Sequence, residues 1–236
     1  MAGDRAPARS LANALRMPGV SVIAEVKRAS PSAGAFAPGL DAPARARLYE
    51  ARGAAAVSVL TDAGFDGRLD DLIAVAAAVS VPVVRKDFLV DPWQIWESRA
   101  AGADAALVIV SALDVAGLET LAVEAVEAGL GLLVEIHVPA EAQRAIALGA
   151  PVVGVNARDL STLEVDLNGA LSTVRGLRRQ VPELVLVAES GVAGPEDVRR
   201  ARRAGADAVL VGEHLARAAD PGEALARLLA AGRIEA

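Results

Sequence analysis

Glu25 and Lys27 close one apolar run, VSVIAEVK (residues 20–27), and Lys86 closes another, VPVVRK (residues 81–86). A carboxylate and an ammonium at the end of a buried segment are a proton acceptor beside a proton donor, the pair needed to move protons on and off a substrate. The two lysines are the chain's only ones. Of 24 basic residues two are lysine, which leaves 22 arginines. Arginine stays charged at any working pH, whereas lysine is a compact acid whose pKa its surroundings can tune. Singly, either lysine reads as a surface charge on an apolar stem. In matched positions, where two apolar runs give out, they point to chemistry.

Composition narrows the classes. At 236 residues and 53% hydrophobic, the chain suits one large core. The expectation is one domain over 1–236, with a short N-terminal extension (1–19) before residues 20–236. The net charge of -6, and arginines scattered among acids or paired on helix faces (Arg199, Arg200, Arg202, Arg203), argue against nucleic acid as a partner. The longest charge-free apolar run, residues 72–84, falls short of the ~18 residues of a membrane span and contains Pro82. The first ten residues hold no apolar signal core, so a cytoplasmic protein is expected. With no cysteine there is no disulfide, thiolate ligand or cysteine nucleophile. His137 and His214 lack metal-ligand spacing, so neither a histidine metal site nor a serine triad is expected.

The elements that must position the lysines emerge from a repeated phrase. RGAAAVSVL from Arg52, AGADAALVI from Ala101, LGAPVVGVN from Leu148 and AGADAVLVG from Ala204 each read as a helix end, a capping glycine and a buried strand. One more strand lies between successive copies, at VPVVRKD, GLLVEIH and ELVLVAES. With the opening strand (20–27) these make eight, spaced by roughly 25 residues, the length of a βα unit. The strands are continuous Val, Ile, Leu and Ala runs, as in a parallel sheet covered by helices. Helices are predicted over 41–51, 69–79, 92–101, 114–128, 139–148, 167–179 and 194–204. Eight units in one chain fit a closed (β/α)8 TIM barrel of eight parallel strands better than an open sheet, and no GxGxxG follows the first strand.

In such a barrel the chemistry belongs at the C-terminal ends of the strands. Those ends read Glu25 and Lys27, Thr61, Lys86, Ser111, Glu135 with His137, Asn156, Glu189 with Ser190, and Gly212 with Glu213. Three glutamates and two lysines at one mouth can hold each other ionised, or push a lysine towards a pKa useful for proton transfer. The last two ends, AESGVAGPEDV and LVGEHLAR, are strand, glycine, helix start, which suits a phosphate ester at the loops this fold uses for phosphates. Aromatics make up only 3% of the chain, yet Phe65 and Phe88 both fall on this face, where two rings could sandwich an aromatic substrate.

The strand-end segments EVKRASPSAG, SVLTD, VRKDF with DPWQIWE behind it, LVEIH, GVNARDL, AESGV and LVGE, in this order from Val20 to Arg217, resemble the indole-3-glycerol phosphate synthase family. The resemblance implies a (β/α)8 lyase of tryptophan biosynthesis. Its reaction closes the indole ring of 1-(2-carboxyphenylamino)-1-deoxyribulose 5-phosphate, releasing carbon dioxide and water without a metal or organic cofactor. By the same resemblance Lys86 is the general acid at the substrate ketone, Glu135 handles proton transfer in the dehydration, and Lys27 pairs with the substrate carboxylate or shares acid duty. Glu25, Asn156 and Glu189 orient these groups; Ser30, Ser190, Gly191, Gly212 and Glu213 form the phosphate end; Phe65, Phe88, Arg158 and Leu210 wall the anthranilate ring. The implied partner is thus a small phosphorylated anthranilate derivative, with a monomer as the default. Family members usually carry a longer N-terminal segment over the mouth, whereas the residues before Val20 suffice for one short helix around 10–16.

Four alternatives stand beside this reading: a paralogue acting on a related sugar phosphate, a Schiff-base aldolase on the same barrel, a phosphoribosylanthranilate isomerase, and a catalytically silent barrel that binds a phosphate metabolite. The isomerase family generally depends on a cysteine, which this chain lacks.

Overall fold

The computed structural model describes residues 6–30, 34–35, 37 and 39–233. Eight parallel strands close into a barrel: β1 (Ser21–Val26), β2 (Ala56–Leu60), β3 (Val83–Lys86), β4 (Ala105–Ile109), β5 (Gly131–Ile136), β6 (Val152–Asn156), β7 (Val185–Glu189) and β8 (Ala208–Val211). Each strand pairs with its neighbours in sequence, and β1 closes on β8 through the register Ser21↔Ala208 to Ala24↔Val211. The expected fold class is therefore observed.

Around it run α2 (Ala42–Ala51), α3 (Leu69–Ala78), α4 (Pro92–Ala101), α5 (Val115–Ala128), α6 (Ala142–Ala147), α7 (Leu167–Gln180), α8 (Pro195–Ala204), α9 (Glu213–Arg217) and α10 (Pro221–Gly232), after a short α1 (Leu11–Leu15). Most start where a side chain can accept from the unpaired N–H groups of the first turn. Asp41, Asp91, Asp114, Asp166 and Asp220 all serve this way, and Asp91 forms a full capping box with Gln94. The glycines of the repeated phrase, Gly53, Gly102, Gly149 and Gly205, all have φ between 66° and 98°, the left-handed turn from helix to strand that the phrase implied. The predicted helix over 139–148 is shorter than expected, because a 3-10 turn at Pro139–Glu141 precedes α6.

Alternation along the strands sorts the side chains. Ile23, Ala56, Val84, Leu107, Leu133, Val152, Val187 and Leu210 point into the barrel, while Val22, Val57, Val83, Val108, Val134, Val153, Leu186 and Val209 pack against the helices. Continuing the inward parity towards the strand ends gives Glu25 and Lys27, Lys86, Glu135, Asn156, Glu189 and Gly212. One rule thus carries the whole polar set to one rim.

The opposite rim is plugged. Leu11, Ala12 and Leu15 of α1 are buried in the same cluster as the inward barrel side chains. The Arg9 side chain donates to Asp104 Oδ2 at 2.8 Å and to the Val79 carbonyl at 2.7 Å, and Asp104 also accepts from the Arg9 and Val83 N–H groups. Asp207, at the same place in its own copy of the repeat, accepts from the Leu186 N–H. These aspartates, at the N-terminal starts of β4 and β8, tie neighbouring strands together below the chemistry.

Candidate active site

The C-terminal rim opens on a cavity of ≈ 470 Å³ whose lining includes Glu25, Lys27, Phe65, Lys86, Phe88, Glu135, Asn156, Arg158, Ser190, Gly191, Leu210, Gly212 and Glu213. Thirteen of the fifteen expected site residues therefore meet in one place. The remaining two are Glu189 and Ser30. Glu189 is fully buried inside the barrel beside Lys86 and Gly154, and the Ser30 side chain lies outside the described residues. Thr61 and Ser111, also strand-end residues, do not line the cavity.

Lys86 sits at the floor. Its Nζ donates to Glu135 Oε2 at 3.2 Å and lies 3.6 Å from Glu189 Oε2. Burial works against the ammonium, but the Glu135 carboxylate, which it also hydrogen-bonds, outweighs it with help from Glu25 and holds Lys86 well above the ordinary lysine range. Burial likewise works against charge on Glu135, yet Lys86 and then His137 outweigh it and keep this carboxylate ionised well below its usual range. For Glu189 burial wins, reinforced by the Glu135 charge, and its carboxyl is pushed up so that it keeps a proton. Two carboxyl groups against one ammonium thus carry a single negative charge between them, which lets all three be buried.

Lys27 occupies the rim. Its Nζ is 2.9 Å from Glu25 Oε1 and 5.5 Å from the centroid of Phe65, which covers one side of the ammonium. Asn156 Oδ1 accepts from the Arg158 N–H at 3.0 Å, and the Arg158 guanidinium donates to the Leu163 carbonyl, folding the loop after β6 over the cavity.

Two glycines, Gly154 in β6 and Gly212 just past β8, make room for the carboxylates. A Cβ at Gly154 would stand 1.9 Å from Glu189 Oε1, and one at Gly212 would stand 2.1 Å from Glu25 Oε1. Gly212 reads from sequence only as a phosphate-loop residue; the space it leaves for Glu25 is legible only in three dimensions. Ser190 and Gly191 both adopt left-handed backbone, with φ of 62° and 74°, and this turn presents their backbone to the cavity.

Several contributors escape the sequence reading. Arg85 points outward from β3 and is buried; its guanidinium donates to Thr61 Oγ1, Glu97, Ser98 and Asp87, and Thr61 Oγ1 donates to Asp87 Oδ2 at 2.6 Å. This network pins the strand end that carries Lys86, and it gives Thr61 a structural task. Asp87, Val165, His214 and Arg217 also line the cavity. His137 Nε2 lies 3.2 Å from Glu135 Oε1 on the side away from Lys86. Among the described residues no group of three or more His, Asp or Glu is placed to hold a metal ion, and no helix is long and apolar enough to cross a membrane.

Solved structures of low sequence identity share the fold: 3-hexulose-6-phosphate synthase superposes with a TM-score of 0.71 at 21% identity, over 90% of this chain and 99% of the other. Thiamine phosphate pyrophosphorylase from Pyrococcus furiosus gives 0.67 at 17% identity, over 94% and 97%. In sequence, indole-3-glycerol phosphate synthase of Mycobacterium ulcerans (strain Agy99) is 53% identical over 220 residues, 93% of this chain and 80% of that protein. The protein of the same name from Mycolicibacterium vanbaalenii is 53% identical over 230 residues, 97% and 84% of the two chains. The family model for indole-3-glycerol phosphate synthase matches residues 2–228, and with this the chain belongs to the indole-3-glycerol phosphate synthase family.

Proposed function

We propose that the chain, as one barrel domain, closes the indole ring of 1-(2-carboxyphenylamino)-1-deoxyribulose 5-phosphate with Lys86 as the acid that drives ring closure. Family membership supports the reaction, and the Lys86–Glu135 pair at the cavity floor is the observation that carries the assignment of roles.

As the ring carbon bearing the carboxylate attacks the ketone, negative charge grows on the ketone oxygen. A largely buried ammonium at the cavity floor meets that charge with a proton. Lys27, at the rim, pairs with the substrate carboxylate until carbon dioxide leaves, and the bond electrons remain in the ring. Dehydration then breaks the carbon–oxygen bond of the new alcohol and removes a proton from the neighbouring methylene. Glu135 collects that proton, and an ammonium supplies the one that leaves with hydroxide as water. Glu25, Asn156 and Glu189 hold these groups in place. The backbone turns at Ser190–Gly191 and Gly212–Glu213, together with Ser30, receive the phosphate; Phe65, Phe88, Arg158 and Leu210 enclose the aromatic ring.

The charge state of Lys86 speaks against a Schiff-base aldolase, because imine formation needs a neutral amine and this one is held ionised by the Glu135 carboxylate beside it. The reading carries with it a monomer acting in the cytoplasm. The direct test supplies the carboxyphenylamino deoxyribulose phosphate and follows indole fluorescence and carbon dioxide release. An active enzyme gives both in equal amounts; absence of indole product from folded protein overturns the assignment.

A further inference from the structure

Behind the active-site wall lies a second cavity of ≈ 730 Å³, between the turn after β5 and α6 on one side and α7 on the other. His137, Val138, Ala142, Thr173 and Leu177 are among its lining. Glu135 lines only the active-site cavity and His137 only this groove, so the two side chains meet across the partition between them. Glu135 is fully buried, with Lys86 at Oε2 and His137 Nε2 3.2 Å from Oε1. Neither ring nitrogen of His137 has a hydrogen bond with good geometry to another described residue, and its backbone N–H is fixed by Glu141 Oε2 at 2.7 Å. The imidazole is thus anchored through its backbone, while both ring nitrogens are buried beside the groove and hydrogen-bond to no other described residue.

Proton balance gives this placement a use. The substrate enters as a carboxylate and loses that negative charge with carbon dioxide, so each turnover takes up one proton from water. In detail, protons are given to the ketone oxygen and to the departing hydroxyl, and one is recovered from the methylene. The cavity holding the donors is filled by substrate and product during this sequence, which closes the direct path to solvent.

We propose that His137 is the side port through which this proton enters, passing it from water in the groove to Glu135 and so to Lys86. The inference rests on the roles given above to Lys86 and Glu135. A neutral imidazole takes a proton at Nδ1 from a water that enters beside the buried ring from the groove and releases the one on Nε2 to the carboxylate; Glu135 hands its proton to the neutral amine left after ring closure; a ring flip or tautomer exchange restores the imidazole. The groups facing the imidazole are Glu135, Glu141 and Lys86, and the groove adds Asp159, Glu164 and Asp166. The carboxylates favour a proton on His137, as a port requires: its burial works the other way, but Glu135 and Glu141 outweigh it and raise the imidazole above its ordinary range.

The test compares the first turnover with later ones, because recharging follows the chemistry that a pre-charged enzyme completes once. His137→Gln is expected to give a first turnover within about twofold of the parent and a steady-state rate about tenfold lower, short of the ~10²-fold or greater loss expected on removing the acid itself. Added imidazole, small enough for the groove, is expected to restore most of the steady-state rate. An unchanged steady-state rate, a first turnover slowed as much as the later ones, or no response to imidazole overturns the proposal. His137→Asn, measured the same way, serves if the longer amide does not fold. Should the roles of Lys86 and Glu135 be wrong instead, Lys86→Met retains turnover, a result independent of either His137 variant.

Discussion

Lys86 Nζ bridges two carboxyl groups of unequal charge, donating to Glu135 Oε2 at 3.2 Å while Glu189 Oε2 lies 3.6 Å away. Glu135 is the ionised partner and Glu189 the protonated one. The asymmetry fixes which residue exchanges protons and which holds still.

Replacing the acid tests the first half. Lys86→Met and Lys86→Arg are each expected to lower kcat by at least ~10²-fold with substrate still bound, since methionine has no proton to give and arginine does not release one at working pH. Single-turnover kinetics and substrate titration separate the two effects, and near-normal turnover in both variants removes Lys86 from its role.

Substituting the two glutamates tests the second. Glu135→Gln removes the charge that balances Lys86 and is expected to lower kcat by ~10²-fold, whereas Glu189→Gln replaces a neutral carboxyl by a neutral amide and is expected to stay within a few-fold of the parent. Stability adds a check of sign. Folded Glu189 keeps a proton that the unfolded chain releases above the ordinary glutamate pKa of about 4.3. The folded state therefore binds more protons, and this residue's contribution to stability falls as pH rises. Glu189→Gln deletes that dependence, so its Tm relative to the parent is expected to climb between about pH 4 and pH 8. A flat difference refutes the protonated state.

Room for the carboxylates is tested at the glycines. Gly154→Ala places a methyl against Glu189 and Gly212→Ala one against Glu25. Each is expected to cost about 1–3 kcal/mol of stability, as overpacking does, read from denaturant unfolding. Gly212→Ala is also expected to lower kcat/KM, because moving Glu25 disturbs its 2.9 Å contact with Lys27. Parental stability in both variants shows that the carboxylates shift freely.

Stability without chemistry is tested at the other end of the barrel. Asp104→Ala strips the Arg9 guanidinium and the Val83 N–H of their acceptor and is expected to cost about 3 kcal/mol. The active-site rim lies at the far end of β4, so KM is expected to hold at temperatures where the variant is folded. A changed KM with an unchanged Tm reverses this division of labour.

Much of this was legible from residue order. The repeated helix–glycine–strand phrase, with its four left-handed glycines, gave the eight strands, and inward parity then carried Glu25, Lys27, Lys86, Glu135, Asn156 and Gly212 to a common rim. What stayed hidden depends on neighbours brought together only by closure. Arg85 reads as an odd arginine inside a strand until Thr61, Asp87 and Glu97 surround it. Glu189 shares the parity of the cavity residues, yet the space left by Gly154 lets it lie buried within the barrel rather than along the cavity lining. His137 reads from sequence only as a strand-end residue beside Glu135, and its place on the groove arises from the turn after β5.

The α1 plug has a further bearing on traffic. With Leu11, Ala12 and Leu15 wedged into the lower barrel, the strands enclose a blind well rather than a tube. Whatever enters or leaves the cavity, carbon dioxide included, must therefore use the C-terminal rim.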